Sequence, residues 1–205
     1  ARVARLEDPR LLTGQGSYTD DFHLPGMLEA AFVRSPHSHA TINGIDLAAA
    51  KAHPGVVAVY TAADLPEYLR DMTVPFQVPN AAISQPFQQR LLEDREVCFA
   101  GEPIALVVAD TRYNAEDAAT LVEIDYDILG GASDCKSALE DGAPMCHADS
   151  PNNEGAKYTV GYGDVEDAFS NADITHREEY WIHRGGGFAI ENRAVVARSL
   201  SLIQI

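Results

Sequence analysis

Residues 104–129 constrain the fold of this chain more than any other stretch. Residues 104–109 form a continuous apolar run of strand length, which is typical of a buried strand. Thr111 then stands at the N-cap of a predicted helix over 112–121, whose small apolar residues recur at three- and four-residue spacing. Residues 122–129 alternate apolar and acidic side chains, which predicts a strand with one buried and one solvated face. The strand–helix–strand order resembles a right-handed crossover.

The rest of the chain adds strands of hairpin-like spacing, so the predicted fold class is α+β and not a doubly wound parallel sheet. Apolar and β-branched segments predict strands over 27–33, 40–45 and 56–60. A short helix is predicted over 47–52, begun by Asp46 and stopped by the Pro54-Gly55 pair.

Two regions lack a regular pattern. Residues 66–95 contain four prolines and several glutamines, which predicts a long surface excursion that serves a function or an interface. Residues 130–155 are rich in Gly, Ala, Ser, Asp and Pro, which indicates a linker. Beyond it we predict a short helix that ends at Ala172 and strands over 174–182 and 193–198.

Charge and cysteine content limit the partners and the compartment. The 31 acidic residues against 15 basic ones give a net charge of −16, which disfavours nucleic acid and anionic membrane surfaces. Three cysteines without a C-x-x-C spacing favour reduced thiols. No apolar stretch is long enough to cross a bilayer, and the first residues form no signal segment. We therefore expect a soluble, cytoplasmic protein without membrane insertion.

Common cofactor and nucleophile motifs are incomplete. Gly14-Gln15-Gly16 continues to Thr19, where a dinucleotide fingerprint needs glycine, and the Gly185-Gly186-Gly187 run is not followed by a usable helix. FAD or NAD binding by this chain alone is therefore not expected. Cys146 and His147 are adjacent, so their side chains diverge and form a poor nucleophile–base pair.

His37 and His39 are the candidate metal ligands. Residues two apart in an extended segment share a face, so both imidazoles could bind one ion. The sequence supplies no obvious third ligand, and the alternative is a pair of hydrogen-bonding histidines at a strand end. We favour the second interpretation.

Several motifs together resemble the large, molybdopterin-binding subunit of the xanthine dehydrogenase, aldehyde oxidase and carbon monoxide dehydrogenase family. They include Arg-Leu-Glu-Asp-Pro-Arg-Leu-Leu-Thr-Gly at 5–14, Phe-Val-Arg-Ser-Pro-His-Ser-His-Ala at 32–40 and Gly-Glu-Pro-Ile-Ala at 101–105. Shorter matches occur in the same order at 16–21, 24–28, 54–56, 61–65 and 116–127. A further match over 184–193 is to bacterial members that act on N-heterocycles, aldehydes or related small molecules.

The resemblance implies a domain organisation. An N-terminal extension would cover 1–13, an α/β hammerhead domain 14–130 and a linker 131–155. Residues 156–205 would begin the molybdenum-cofactor-binding domain.

The resemblance also implies an activity. The complete enzyme would be an oxidoreductase that hydroxylates a small molecule with water as the oxygen source. It would use molybdenum-molybdopterin, with iron–sulfur clusters and FAD on partner subunits or domains. The partners of this chain would be the remainder of the large subunit and the iron–sulfur and flavin subunits.

Gln204 is the one cofactor-binding candidate that the resemblance assigns, as the glutamine beside molybdenum. Its Ser-Leu-Ile-Gln context departs from the family's Ser-Ser-Thr-Gln, and an ordinary polar residue at a strand end is the alternative. The family's general-base glutamate has no counterpart in these 205 residues, so no complete catalytic set is predicted and the isolated chain should be inactive. A non-catalytic assembly or small-molecule-binding module of hammerhead fold is the alternative function.

Overall fold

Strand β7 (Pro103–Ala109) is the central strand in the larger of two units into which the chain divides. The computed structural model of the protein describes residues 5–75, 80–85, 87–182, 185–187, 189, 191 and 193–198. The larger unit is Leu28–Gly163, and the smaller unit combines Ala1–Met27 with Asp164–Ile205.

The elements of the two units are short. The other strands are β1 (Glu29–Arg34), β2 (Ala40–Asp46), β3 (Val56–Thr61), β4 (Thr73–Pro75), β5 (Gln88–Arg90), β6 (Glu96–Val97) and β8 (Glu123–Ile128). The helices are α1 (Asp8–Leu12), α2 (Ala48–Ala52), α3 (Glu67–Arg70), α4 (Arg112–Ala119) and α5 (Val165–Ser170). Single 3-10 turns lie at Thr19–Asp21, Ala62–Asp64 and Ser137–Leu139. None of the helices in the described ranges has the length and apolar character needed to cross a membrane.

The first sheet of the larger unit has the strand order β1-β7-β3, and β7 pairs antiparallel with both neighbours. Its register places Ala31, Val107 and Val59 opposite one another in a single row across the sheet. Because strand side chains alternate between faces, this row and the next one at Ala105 point to the same side. The strand predicted from the apolar run at 104–109 is confirmed, and the structure adds that it is the central strand of its sheet.

Helices α2 and α4 pack on that side of the sheet. The buried cluster consists of small and β-branched residues from the sheet and both helices: Val33, Ala50, Val59, Ala105, Val107 and Ala118. Alanine on the inner face of each helix lets the helix backbone approach the sheet closely. The N-cap prediction is confirmed, since the Thr111 side chain accepts a hydrogen bond from the Asn114 N–H at 3.2 Å.

The second sheet has the order β6-β2-β8, again with antiparallel pairing. Ile124 and Tyr126 of β8 are half-buried and pack on the cluster formed with β2, β6 and the start of β7. The side chains that alternate with these two along β8 are acidic and exposed: Glu123, Asp125 and Asp127. The predicted alternation is thus confirmed over most of the strand, although Ile128 at its end is also exposed.

The predicted crossover over 104–129 is wrong. Strands β7 and β8 lie in different sheets, and β8 pairs antiparallel with β2. The reason is that β1 and β3 already pair with both edges of β7, which leaves no edge of β7 for β8. The α+β prediction holds because all the pairings among the described residues are antiparallel.

The excursion over 66–95 contains more regular structure than its sequence indicates. Helix α3 has four residues, and β4 and β5 form a short antiparallel pair that matches Thr73 with Arg90. Elements of three or four residues are too short to show a hydrophobic period. Residues 76–79 and 86 lie outside the described part of the excursion.

The smaller unit contains α1, the turn at Thr19–Asp21 and α5. The start of α5 follows its prediction, since the Asp164 side chain accepts a hydrogen bond from the Asp167 N–H at 2.9 Å. The strands predicted over 174–182 and 193–198 are not formed. A strand needs a neighbour for its backbone N–H and C=O groups, and the described residues of this unit supply none.

Replacing Gly55 by alanine should destabilise the larger unit by about 1–3 kcal/mol. Gly55 has φ +84°, and a Cβ at this position would collide with the side chains of Asn114 and Asp110. Urea unfolding measures the effect. Gly44→Ala is the matched control, because Gly44 lies in a strand without a positive φ and a Cβ there meets nothing within 4 Å. Equal unfolding free energies for the two variants would contradict this prediction.

Candidate functional site

Polar and ionisable side chains concentrate around Cys98, next to the second sheet of the larger unit. Strand β6 carries Glu96, and the turn that joins β6 to β7 carries Cys98 and Glu102. His39 precedes β2, and His147 comes from the predicted linker. We call these five residues the Cys98 cluster.

Cys98 and His147 form a direct contact that the sequence does not reveal. The Cys98 Sγ lies 3.2 Å from His147 Nδ1. The imidazole also stacks on the ring of Phe87, with centroids 4.5 Å apart and planes 5° from parallel. His147 is therefore held between a thiol and an aromatic ring, both from the segment that precedes β7.

His39 and Glu96 form the second contact of the Cys98 cluster. His39 is buried, and its Nε2 lies 2.6 Å from Glu96 Oε1, while its Nδ1 lies 3.0 Å from the carbonyl oxygen of Gly130. Each ring nitrogen of His39 therefore lies within hydrogen-bond distance of an oxygen atom. Glu96 Oε1 also accepts the Ala148 N–H at 2.8 Å. His39 and Glu96 together therefore connect the sheet to the residue before the linker, Gly130, and to Ala148 within it.

Glu102 is a buried carboxyl group, 3% exposed, that accepts the Cys98 N–H at 2.6 Å. Burial raises the pKa of Glu102 to about 7, and the nearby Glu93 and Glu96 act in the same direction. The hydrogen bond from Cys98 opposes that shift. The Glu102 carboxyl group therefore titrates near neutral pH.

The protonation states show that Cys98 is not an activated nucleophile. Burial raises the pKa of the Cys98 thiol, and the charges of Glu96 and Glu102 raise it further. Burial also lowers the pKa of His147, which favours the neutral ring. The contact is therefore a thiol S–H that donates to a neutral imidazole, whereas catalytic cysteines need an electropositive site that favours the thiolate. The Cys98 cluster is suited to hold the linker on the sheet.

The two histidines proposed as metal ligands have separate partners. His37 contacts the Tyr126 ring edge-on, with centroids 4.9 Å apart. Both ring nitrogens of His39 are engaged with Glu96 and Gly130, which leaves neither of them free to bind an ion. Across the described ranges, the structure contains no group of three His, Cys, Asp or Glu side chains arranged to hold a metal.

The remaining sequence candidates lie mostly outside the described residues. This applies to Gln204, and also to Arg184, Phe188 and Asn192 of the segment resembling bacterial members. Glu191 is described, and its Oε1 accepts the Thr19 N–H at 2.6 Å and the Thr19 Oγ1 hydroxyl at 2.8 Å. These two bonds lower the pKa of Glu191.

The chain matches the family model for the aldehyde oxidase and xanthine dehydrogenase a/b hammerhead domain over residues 13–130. The chain is 39% identical to the nicotine 6-hydroxylase large subunit of Paenarthrobacter nicotinovorans over 197 residues, which is 96% of this chain and 24% of that protein. It is 38% identical to the carbon monoxide dehydrogenase large chain of Afipia carboxidovorans over 88% of this chain and 23% of the relative. The chain thus spans about a quarter of the length of these curated relatives.

Solved structures show the same relationship. The crystal structure of a Cu,Mo-CO dehydrogenase superposes with a TM-score of 0.64 at 38% identity, and covers 85% of this chain and 22% of that one. The similarity extends past residue 130, since 85% of this chain is about 174 residues, more than the 130 residues that end at that position.

The three cysteines should differ in reactivity, with Cys135 alkylated first and Cys98 last. Cys135 is exposed, whereas Cys98 is half-buried, hydrogen-bonded to His147 and surrounded by carboxylates that oppose thiolate formation. Timed iodoacetamide labelling at pH 8, followed by peptide mass spectrometry, measures the three rates. Labelling of Cys98 as fast as Cys135 would contradict the assignment of Cys98 as an inert thiol.

Glu102→Gln should make the fold more stable above neutral pH. Because the folded-state pKa is raised from 4.5 to about 7, the contribution of Glu102 to stability is present below pH 4.5 and is lost as pH rises through 7. Glutamine can still accept the Cys98 N–H without carrying a charge. We expect the wild type and Glu102→Gln to have equal free energies of unfolding near pH 4.5. At pH 8 the variant should be more stable than the wild type by about 1–3 kcal/mol.

Urea unfolding across pH 4.5–8 tests this pH dependence. The exposed Glu123 on β8 supplies the control, since Glu123→Gln removes the same charge from solvent. A stability difference for Glu102→Gln that does not change with pH would show that this carboxyl group does not titrate in the folded protein over the range.

Proposed function

The chain belongs to the aldehyde oxidase and xanthine dehydrogenase α/β hammerhead family, and on that premise we propose that it is the N-terminal part of a molybdenum hydroxylase large subunit. The whole enzyme would be an oxidoreductase that hydroxylates an aldehyde, an N-heterocycle or a similar small molecule with water as the oxygen source. The proposed boundaries are an extension at 1–13, the hammerhead domain at 14–130, a linker at 131–155 and the start of the cofactor-binding domain at 156.

The observation that carries this proposal is the length of the match. Similarity to large subunits covers 96% of the chain and so continues beyond the hammerhead residues 13–130 into the linker and the smaller unit. A free-standing hammerhead module, the alternative function, would share only the first part with these relatives.

The exposed apolar side chains at the end of the chain also support the proposal. Tyr180, Trp181 and Ile182 are 79%, 68% and 89% exposed, in a segment without strand pairing. Large apolar side chains in succession are normally covered in a folded protein. This favours further strands of a larger domain over a module that ends here.

The described residues do not by themselves fit a molybdenum or iron–sulfur centre. They contain no suitable group of His, Cys, Asp or Glu side chains, and Cys98 is held as a protonated thiol. Molybdenum-molybdopterin would therefore be bound by the remainder of the large subunit, with Gln204 as the candidate contact from this chain. Iron–sulfur clusters and FAD would reside on partner subunits or domains, and no step of the reaction is assigned to the described residues.

The hammerhead domain would act as a scaffold that sets the path of the linker. Glu96 bonds the Ala148 N–H, Cys98 contacts His147, and Asn153 bonds the backbone at Cys146 and Ala138. The first two contacts hold the linker beside the second sheet at residues 147 and 148, and the Asn153 bonds hold the linker in a fixed path from residue 138 to residue 153. The excursion over 66–95 and the acidic surface are the proposed docking regions for the partner subunits. The three free thiols fit a cytoplasmic location.

The test is the metal content of the full-length gene product purified from its own cells with its accompanying chains. We expect about one molybdenum per large subunit, with iron in the complex, as the proposed family membership requires. The separately produced 205-residue chain should contain no molybdenum and show no hydroxylase activity. An intact full-length protein that lacks molybdenum would overturn the proposal and leave the binding-module alternative.

A further inference from the structure

The sheet β1-β7-β3 has an apolar face on the side opposite to α2 and α4. The register places Phe32, Leu106 and Tyr60 in one row across the three strands. The next row on the same side consists of alanine and valine: Ala30, Val108 and Ala58. We call these six residues the open face.

The described residues leave much of the open face uncovered. Phe32 is 49% exposed and Tyr60 is 43% exposed, whereas Val107 on the helix side of the same sheet is fully buried. The second sheet packs against the sheet β1-β7-β3 at the start of β7, where Ile104 is fully buried in a cluster with Ala40.

The chemistry of the open face differs from that of a solvated sheet surface. The second sheet shows what such a surface looks like in this protein, since three of the four exposed side chains of β8 are acidic. The open face carries no acidic side chain. Arg34 lies at its edge, where its guanidinium is 5.1 Å from the centroid of the Phe32 ring and donates to the Gly101 carbonyl oxygen at 2.8 Å. An aromatic and aliphatic face of this kind resembles half of a domain core.

We propose that the open face packs against apolar residues of the same polypeptide that follow residue 205. This inference rests on the proposed function, in which the chain is part of a subunit about four times as long. Permanent interfaces, which resemble a domain core cut in half, are more apolar than transient ones. On the proposed function, the remaining three quarters or so of the subunit are covalently joined to this chain and so form a permanent partner. The net charge of −16 also disfavours a second copy of this acidic chain as the occupant.

Photo-cross-linking in the complete enzyme tests the occupant directly. Phe32 or Tyr60 is replaced by p-benzoylphenylalanine in the full-length large subunit, and the complex is irradiated and analysed by peptide mass spectrometry. We expect both positions to cross-link to large-subunit peptides beyond residue 205, without a new high-mass band on a denaturing gel. Tyr113 on α4 is the matched control because it is an exposed aromatic residue outside the open face, and it should not capture the same peptides.

Cross-links from the open face to another subunit, to a second copy or to residues 1–205 would overturn the inference, as would the absence of a cross-link. Hydroxyl-radical footprinting of the unmodified complex provides a second measurement that needs no substitution. Tyr60 should be oxidised several-fold more slowly than in the denatured subunit, and equal rates would also overturn the inference. Molybdenum measured in the same preparations separates the two proposals, since its absence counts against the proposed function and a misplaced cross-link counts only against the open face.

Discussion

The larger unit depends on the pairing of β7 with a strand on each of its edges. This pairing satisfies the backbone groups of an apolar strand that could not remain buried without partners. It also sets the positions of Val107 and Ala105, on which α2 and α4 pack. Because no edge of β7 remains free, β8 must pair elsewhere, and the second sheet forms around β2. The turn before β7 then carries Cys98 and Glu102 to the side where the linker passes.

Much of this fold follows from short-range patterns. The apolar run at 104–109, the Thr111 cap and the acidic alternation of β8 each appear in the structure within one or two residues of their prediction. The partner of a strand is not a local property, which is why the order strand–helix–strand was misinterpreted as a crossover. The predictions of strands over 174–182 and 193–198 are wrong for a related reason. An apolar sequence favours a strand, but the strand forms only where a neighbouring strand pairs with its backbone N–H and C=O groups.

The Cys98 cluster could be predicted only in part. His39 was considered as a metal ligand because of its spacing from His37, but a hydrogen-bonding role was favoured, and the structure gives it a carboxylate partner 57 residues along the chain. The contact between Cys98 and His147 joins residues 49 apart, across a loop whose path no local pattern specifies. The one available signal was the density of glutamates between 93 and 102 around a cysteine, which is unusual for a reactive thiol. Gln204 lies outside the described residues and stays a prediction.

The position of β7 in the sheet has a consequence for synthesis on the ribosome. Strands β1 and β3 end at residues 34 and 61, yet the strand that pairs with both begins only at residue 103. Until that strand leaves the exit tunnel, the nascent chain presents two apolar strands with unpaired edges, a state prone to association with other chains. The intervening prolines and short elements of the 66–95 excursion provide no early partner. The sheet β1-β7-β3 therefore cannot form until its middle strand has been synthesised, and chaperone binding would be most useful in that interval of translation.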